Sequence, residues 1–297
     1  MKKRLVLGAL SAAALALSPA VAADAVWTAE IAAIRQTAAA TPGAKPLRVN
    51  VVKFAESRRT KNFAVKGAPS EPSIQARTAF QVVYPDGYVM IDSGMDEQVH
   101  KFFGRGAVEP YFPDVEQRVA AALRGAKSIV VTHEHGDHVA GVLRTPFFAE
   151  LAPKTTLTKT QIATLENEPQ MPEIKITADV AAKFKVIDYD RYFSYAPGIA
   201  LVKAPGHTPG SQMIFVTLAS GREYLFAGDV AWHMDGVRQM RGKDAPWITE
   251  PADMMAAELT WLNGVMKDEK NVVIVISHDE DQRLDYIRQG LLGDGLQ

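Results

Sequence analysis

Thr132-His133-Glu134-His135-Gly136-Asp137-His138 follows directly on the apolar run Ser128-Ile129-Val130-Val131. A short apolar run bounded by polar residues reads as a buried strand, so three imidazoles and the Asp137 carboxylate are expected at the end of one. Imidazole nitrogens suit zinc and other borderline transition metals, and carboxylates can bridge two cations. The stretch therefore has the outline of a metal site.

Working outward, four more apolar runs stop abruptly at groups able to bind a metal or orient a ligand: residues 88–91 at Asp92, 199–203 shortly before His207, 223–227 at Gly228-Asp229, and 272–276 at Ser277-His278-Asp279. Five of the seven histidines lie at such tips. Alone, His207 or His278 would read as a hydrogen-bonded structural residue. Together with His133, His135, Asp137, His138 and Asp229 they make seven donors, which exceed one tetrahedral shell. Two adjacent metals are implied.

The remaining patterns supply a scaffold. Residues 79–84 and 88–91, joined by Pro85-Asp86-Gly87, read as a hairpin, and Asp114 is placed to cap a helix over 114–124 that Gly125 stops. After the strand 128–131 come a short strand at 155–157, a helical turn at 160–166, and strands at 184–187 and 199–203. A second hairpin (213–218 and 223–227), a helix over 251–265 with Pro251 in its first turn, and the strand 272–276 repeat the order of the first half. Residues 47–54 read as a strand, and the polar segment 56–72, with Arg58, Arg59 and Lys61, as a solvated loop. Residues 23–46 are expected to form an Ala-rich helix or arm outside a main domain of 47–297.

Lys2-Lys3-Arg4, an apolar stretch over 5–17 and Ala20-Val21-Ala22 together read as a cleavable export signal, residues 1–22, with periplasmic or secreted destination. The apolar run is too short to span a bilayer. Removing it takes three of 33 basic residues and none of 34 acidic ones, leaving a net charge of −4. That balance does not favour a nucleic-acid partner, and 47% hydrophobic with 23% charged residues is ordinary for a soluble domain. With no cysteine, a metal site must use His, Asp and Glu, and thiol lipidation is excluded.

The Asp92-Ser93-Gly94 turn, the His-x-His-x-Asp-His motif, Pro205-Gly206-His207-Thr208-Pro209-Gly210, Gly228-Asp229 and Ser277-His278-Asp279 together resemble the metallo-β-lactamase-fold hydrolases. The resemblance implies an α/β, four-layer αββα sandwich of two similar halves. It implies a first metal on His133, His135 and His207, a second on Asp137, His138 and His278, Asp229 bridging them, and Asp92 orienting a ligand histidine. Two divalent ions, zinc by preference, would lower the pKa of water to about 7, so no side-chain nucleophile is needed. Asp137 would orient the attacking water, and His233 could donate a proton from a pocket walled by Trp232 and Trp247.

Motif order is similar to that of acyl-homoserine lactonases, which makes a small-molecule ester or lactone the expected substrate. Many of those enzymes carry tyrosine three residues after the bridging aspartate, where this chain has Trp232. Lactamases with a cysteine ligand are excluded by composition. A β-lactam hydrolase, a phosphotriesterase of the same fold, and a periplasmic metal-binding protein without turnover are the alternatives.

Overall fold

A computed structural model gives the arrangement of residues 26–297; the expected export segment 1–22 lies outside the described residues. Strands β1 (Arg48–Thr60), β2 (Pro72–Tyr84), β3 (Gly87–Ile91), β4 (Ser128–Val130), β5 (Thr155–Thr158) and β6 (Lys185–Ile187) precede β7 (Tyr192–Ala196), β8 (Ile199–Lys203), β9 (Gln212–Thr217), β10 (Glu223–Phe226), β11 (Val272–Val275) and β12 (Gly293–Asp294). They form a seven-stranded sheet, β12-β1-β2-β3-β4-β5-β6, and a five-stranded sheet, β11-β10-β9-β8-β7.

Alternation along the strands decides what lies between the layers, because successive side chains point to opposite faces. Ile199, Leu201, Ile214, Val216, Tyr224 and Phe226 point at the first sheet and pack on Val49, Val51, Phe80 and Val82. Phe80 and Phe226 meet edge to face across this interface, with centroids 5.0 Å apart. The alternate residues Ala200, Val202, Met213, Phe215 and Leu225 point outward, under the helices Ile31–Ala40 and Ala252–Asp268. The outer face of the first sheet is covered by the helices Glu97–Gly104, Pro113–Gly125, Gly136–Leu143 and Lys159–Asn167. The expected four layers are present, and sheets covered on both faces explain why the strands read as nearly continuous apolar runs.

The two halves share a local topology. Antiparallel β2-β3 is followed by a parallel β3-β4 pair, and antiparallel β9-β10 by a parallel β10-β11 pair. The registers Ile91↔Val130 and Phe226↔Val275 bring the C-terminal ends of each parallel pair level with one another.

Several boundaries differ from the expected ones. Only part of the segment 56–72 is a solvated loop: β1 runs to Thr60 and pairs with β2 from Pro72 onward, with an irregularity between Lys53 and Ala55, a short helix spans Lys61–Ala64, and the largely exposed connection is confined to 66–71. Two of its charges are paired inside the fold, Glu56 with Lys53 Nζ at 2.7 Å, which also bonds Glu280 at 2.8 Å, and Arg59 with Glu109, while Arg58 stays exposed. Asp114 does not cap its helix; Pro113 opens it after Phe112, and Asp114 sits in the first turn, where the helix dipole favours a carboxylate. Pro251 is the N-cap position rather than a first-turn residue. The helix Ile31–Ala40 is seated on the second sheet, with Ile34 fully buried and the Trp27 indole donating to the Lys203 carbonyl at 2.9 Å. The helices Glu97–Gly104 and Glu280–Arg288, capped by Asp96 and Asp279, were not anticipated. Among the described residues no helix is long and apolar enough to cross a membrane.

Candidate metal centre

All the tip residues leave the sheets at one end. The short β3-β4 register places Asp92 beside Thr132, whose N–H it accepts at 2.7 Å. After β4 ends at Val130 the backbone bends through Thr132, Glu134 and His135 and enters the helix Gly136–Leu143, with His135 as its N-cap and Asp137 and His138 in its first turn. This bent loop running into a helix folds four donors from six residues around one point. Gly141 lets this helix pack tightly against the Asp92-Ser93 turn, since a Cβ there would collide with the backbone of Ser93.

Three donor groups result, each with its atoms within 4.8 Å of one another: His133, His135 and His207; His133, His138 and Asp229; and Asp137, His138 and His278. Asp229 lies between the outer two. Its Oδ2 faces His207 Nε2 at 3.5 Å and His133 Nε2 at 3.9 Å. Its Oδ1 faces His138 Nε2 at 3.5 Å, and His278 Nε2 lies within reach of both oxygens, 3.0 Å from Oδ1 and 3.1 Å from Oδ2, to which it is hydrogen-bonded. One carboxylate thus turns an oxygen to each group of imidazoles. His133 Nε2, His138 Nε2 and Asp229 Oδ1 are buried without a hydrogen-bond partner among the described residues, a costly state for polar atoms. Divalent ions would satisfy all three, so the donor set fits two of them.

Protonation states agree with that reading. Burial, and then the neighbouring imidazoles, hold His133 and His135 well below the usual imidazole range, which keeps them neutral as ligands must be. Burial acts to raise Asp229, but His278, His138 and His133 outweigh it and hold the carboxylate well down. Burial likewise opposes the ionised form of Asp137, and Arg77 above all overcomes it, bringing Asp137 to about 2. At His138 burial is outweighed by Asp137, Asp92 and Asp229, which push it up to about 10. The surplus of carboxylate charge calls for a cation at this end of the site.

The surrounding bonds orient the donors. His138 Nδ1 lies 2.8 Å from Asp92 Oδ2, His278 Nδ1 2.7 Å from the Ala76 carbonyl, and His207 Nδ1 2.5 Å from Glu250 Oε1. Each bond fixes a ring and turns Nε2 inward. Asp92 holds a left-handed backbone, φ 61°, to do this, a conformation that aspartate tolerates better than most residues. Lys243 Nζ, fully buried, ties Glu250 at 2.7 Å and also reaches the Asp229 carbonyl. Glu134 accepts from Thr208 Oγ1 at 3.0 Å and from Gly210 N at 3.2 Å, clasping the His133 loop to the His207 loop. Gly206 N donates to Glu258 Oε1 at 2.9 Å, and burial pushes that carboxyl up to about 8.

Arg77 sits on Asp137, with Nη1 also 3.4 Å from His278 Nε2 and Nη2 3.1 Å from Ser57 Oγ. Arg77, Lys243, Glu250 and Glu134 carry no spacing signature and were not singled out from the sequence. Trp232 was, and its indole donates to Asp229 Oδ2 at 2.7 Å. Trp232 and Trp247 both line the cleft of about 450 Å³ that opens over His135, Asp137, His207 and Asp229. His233 does not line it. Its Nδ1 accepts from Asp235 N at 3.0 Å and so caps the helix Met234–Gln239, which accounts for the residue structurally.

The sequence pattern of the metallo-beta-lactamase superfamily matches residues 76–278, which spans every donor named above. The chain is 23% identical over 215 residues to the N-acyl homoserine lactonase AiiA of Bacillus thuringiensis subsp. kurstaki, covering 66% of this chain and 78% of that one. An N-acyl homoserine lactone hydrolase, solved with N-hexanoyl-L-homoserine at its catalytic metal center, superposes with a TM-score of 0.64 at 16% identity, over 81% of this chain and 96% of that one. AidC, a dizinc quorum-quenching lactonase, gives a TM-score of 0.54 at 15% identity, over 80% and 91%. With its sandwich of two sheets, its clustered donors and this match, the chain belongs to the metallo-β-lactamase superfamily.

Proposed function

We propose that this chain is an exported hydrolase that uses two divalent ions, of zinc type, to open an ester or lactone bond, with acyl-homoserine lactones the first substrates to try. The observation that carries the reading is the Asp229 carboxylate, which turns one oxygen to His133 and His207 and the other to His138, with His278 in reach of both. The lactonase relatives support the substrate class, and the basic and apolar start of the sequence supports export.

Held by His133, His135 and His207 on one side and by Asp137, His138 and His278 on the other, with Asp229 shared, the ions would supply an activated water and an electrophile for the carbonyl. The side chains do the rest. Asp137, kept ionised by Arg77, accepts a hydrogen bond from the attacking water and so aims it. Trp232 holds Asp229 in one rotation through its indole N–H. Trp232, Trp247 and Phe103 wall the cleft and exclude bulk water from the reacting carbonyl, which strengthens every charge interaction inside.

The test is a panel of acyl-homoserine lactones, simple esters, β-lactams and phosphotriesters offered to the metal-loaded protein and to Asp229→Ala. Turnover of lactones or esters that vanishes in the variant, with about two metal equivalents in the parent, is the expected result. Activity retained by Asp229→Ala would sink the shared-carboxylate mechanism. A full metal complement with no turnover of any substrate would point instead to a metal-binding protein.

A further inference from the structure

Three guanidiniums line the cleft, those of Arg59, Arg77 and Arg105. Two are already neutralised, Arg59 by Glu109 and Arg77 by Asp137. Arg105 has no carboxylate partner among the described residues. It stands at the C-terminal end of the helix Glu97–Gly104 in a left-handed backbone conformation, φ 50° and ψ 43°, which is unfavourable for a residue with a Cβ. Its guanidinium carbon lies 4.0 Å from the centre of the Trp247 ring and 5.8 Å from that of Phe102.

A guanidinium laid on an aromatic face keeps its N–H edges free for an acceptor, and its fork matches a carboxylate in two parallel bonds. Arg105 is exposed at the cleft mouth; its partial burial and then the like charges of Arg59 and Arg77 act against the cation, and a bound anion would offset them. A purely apolar chain lying here would instead cover the charge without replacing its water. One unpaired guanidinium balances a single negative charge, which a carboxylate supplies.

Building on the hydrolase reading above, we propose that Arg105, stacked on Trp247, receives a carboxylate at the end of the substrate remote from the scissile bond. The preferred substrates are then esters or lactones whose acyl part ends in a second acid group, such as half-esters of dicarboxylic acids.

The test compares mono-p-nitrophenyl adipate with p-nitrophenyl hexanoate, equal in chain length, on the metal-loaded enzyme and on Arg105→Gln. The parent is expected to favour the adipate half-ester by about tenfold through KM, the worth of one charge-assisted contact. Arg105→Gln should abolish the preference and leave the hexanoate ester as it was, while Arg105→Lys, which keeps charge without the fork, should retain part of it. Equal handling of the two esters by the parent, or an equal loss on both in Arg105→Gln, would overturn the proposal. Calorimetry with free adipate and free hexanoate separates this site from the chemistry. Adipate binding about tenfold tighter than hexanoate in the parent alone upholds the subsite even if neither ester turns over, in which case the hydrolase reading falls. Adipate binding no tighter than hexanoate in the parent overturns the subsite.

Discussion

Trp232 Nε1 donates to Asp229 Oδ2 over 2.7 Å, and that oxygen is the one turned toward His133 and His207. An indole therefore stands against the shared carboxylate at the position where many lactonases carry a phenol. Trp232→Phe keeps the apolar contacts with Ala64, Val65 and Ala245 but removes the donor. It should lower kcat about tenfold, as the loss of one buried charge-assisted bond would, with metal content by elemental analysis unchanged. An unaltered kcat would show that the bond does not position Asp229.

Glu250 fixes the His207 ring from behind, and Lys243 fixes Glu250. Glu250→Gln should weaken metal binding about 10- to 100-fold, the usual cost of losing such support, in competition with a chelating dye. The loss should fall on one of the two equivalents, because the group of Asp137, His138 and His278 does not depend on Glu250. Equal weakening of both would mean that the two groups load as a unit.

Stripping the ions should destabilise the fold. His133 Nε2, His138 Nε2 and Asp229 Oδ1 have no other buried partner, and a ligand present at a thousandfold excess over its Kd contributes about 4 kcal/mol. The melting temperature followed by circular dichroism should fall on adding chelator and recover with zinc. A Tm indifferent to chelator would mean that the donors take up no ion in solution.

Glu258 gives a pH signature of the opposite sign to most carboxylates. Its folded pKa is raised to about 8 by burial, so between about pH 4.5 and 8 the unfolded chain has released a proton that the folded chain retains. Fewer protons bound in the unfolded state make stability fall as pH rises. Over that window Glu258 should cost on the order of a few kcal/mol, levelling off above pH 8. Subtracting the denaturation curve of Glu258→Gln from that of the parent isolates this slope, whatever constant offset the substitution adds. A flat difference would show that Glu258 ionises inside the fold without penalty.

What the sequence revealed and what it concealed divide along a physical line. Apolar runs ending in polar tips are written locally, so β3, β4, β8, β10 and β11 and all seven candidate ligands could be read from short windows. The ligand-orienting residues are joined across long separations. Arg77 meets Asp137, Glu250 meets His207 and Glu134 meets Thr208 only when the layers stack, and no spacing announces them. The segment 56–60 looked solvated because the carboxylate that takes up Arg59 and the Arg58 N–H, Glu109, is likewise distant in the chain. His233 illustrates the converse, since proximity to Asp229 in sequence suggested chemistry while its ring caps a helix.

The clasp of Glu134 on Thr208 and Gly210 has a consequence for traffic through the site. The two loops that carry the three-histidine group are tied to each other by the protein itself, so their spacing does not depend on the ion. A centre whose walls are braced in this way is expected to keep its shape when emptied of metal, and to take up a suitable divalent ion from the surroundings without first refolding around it.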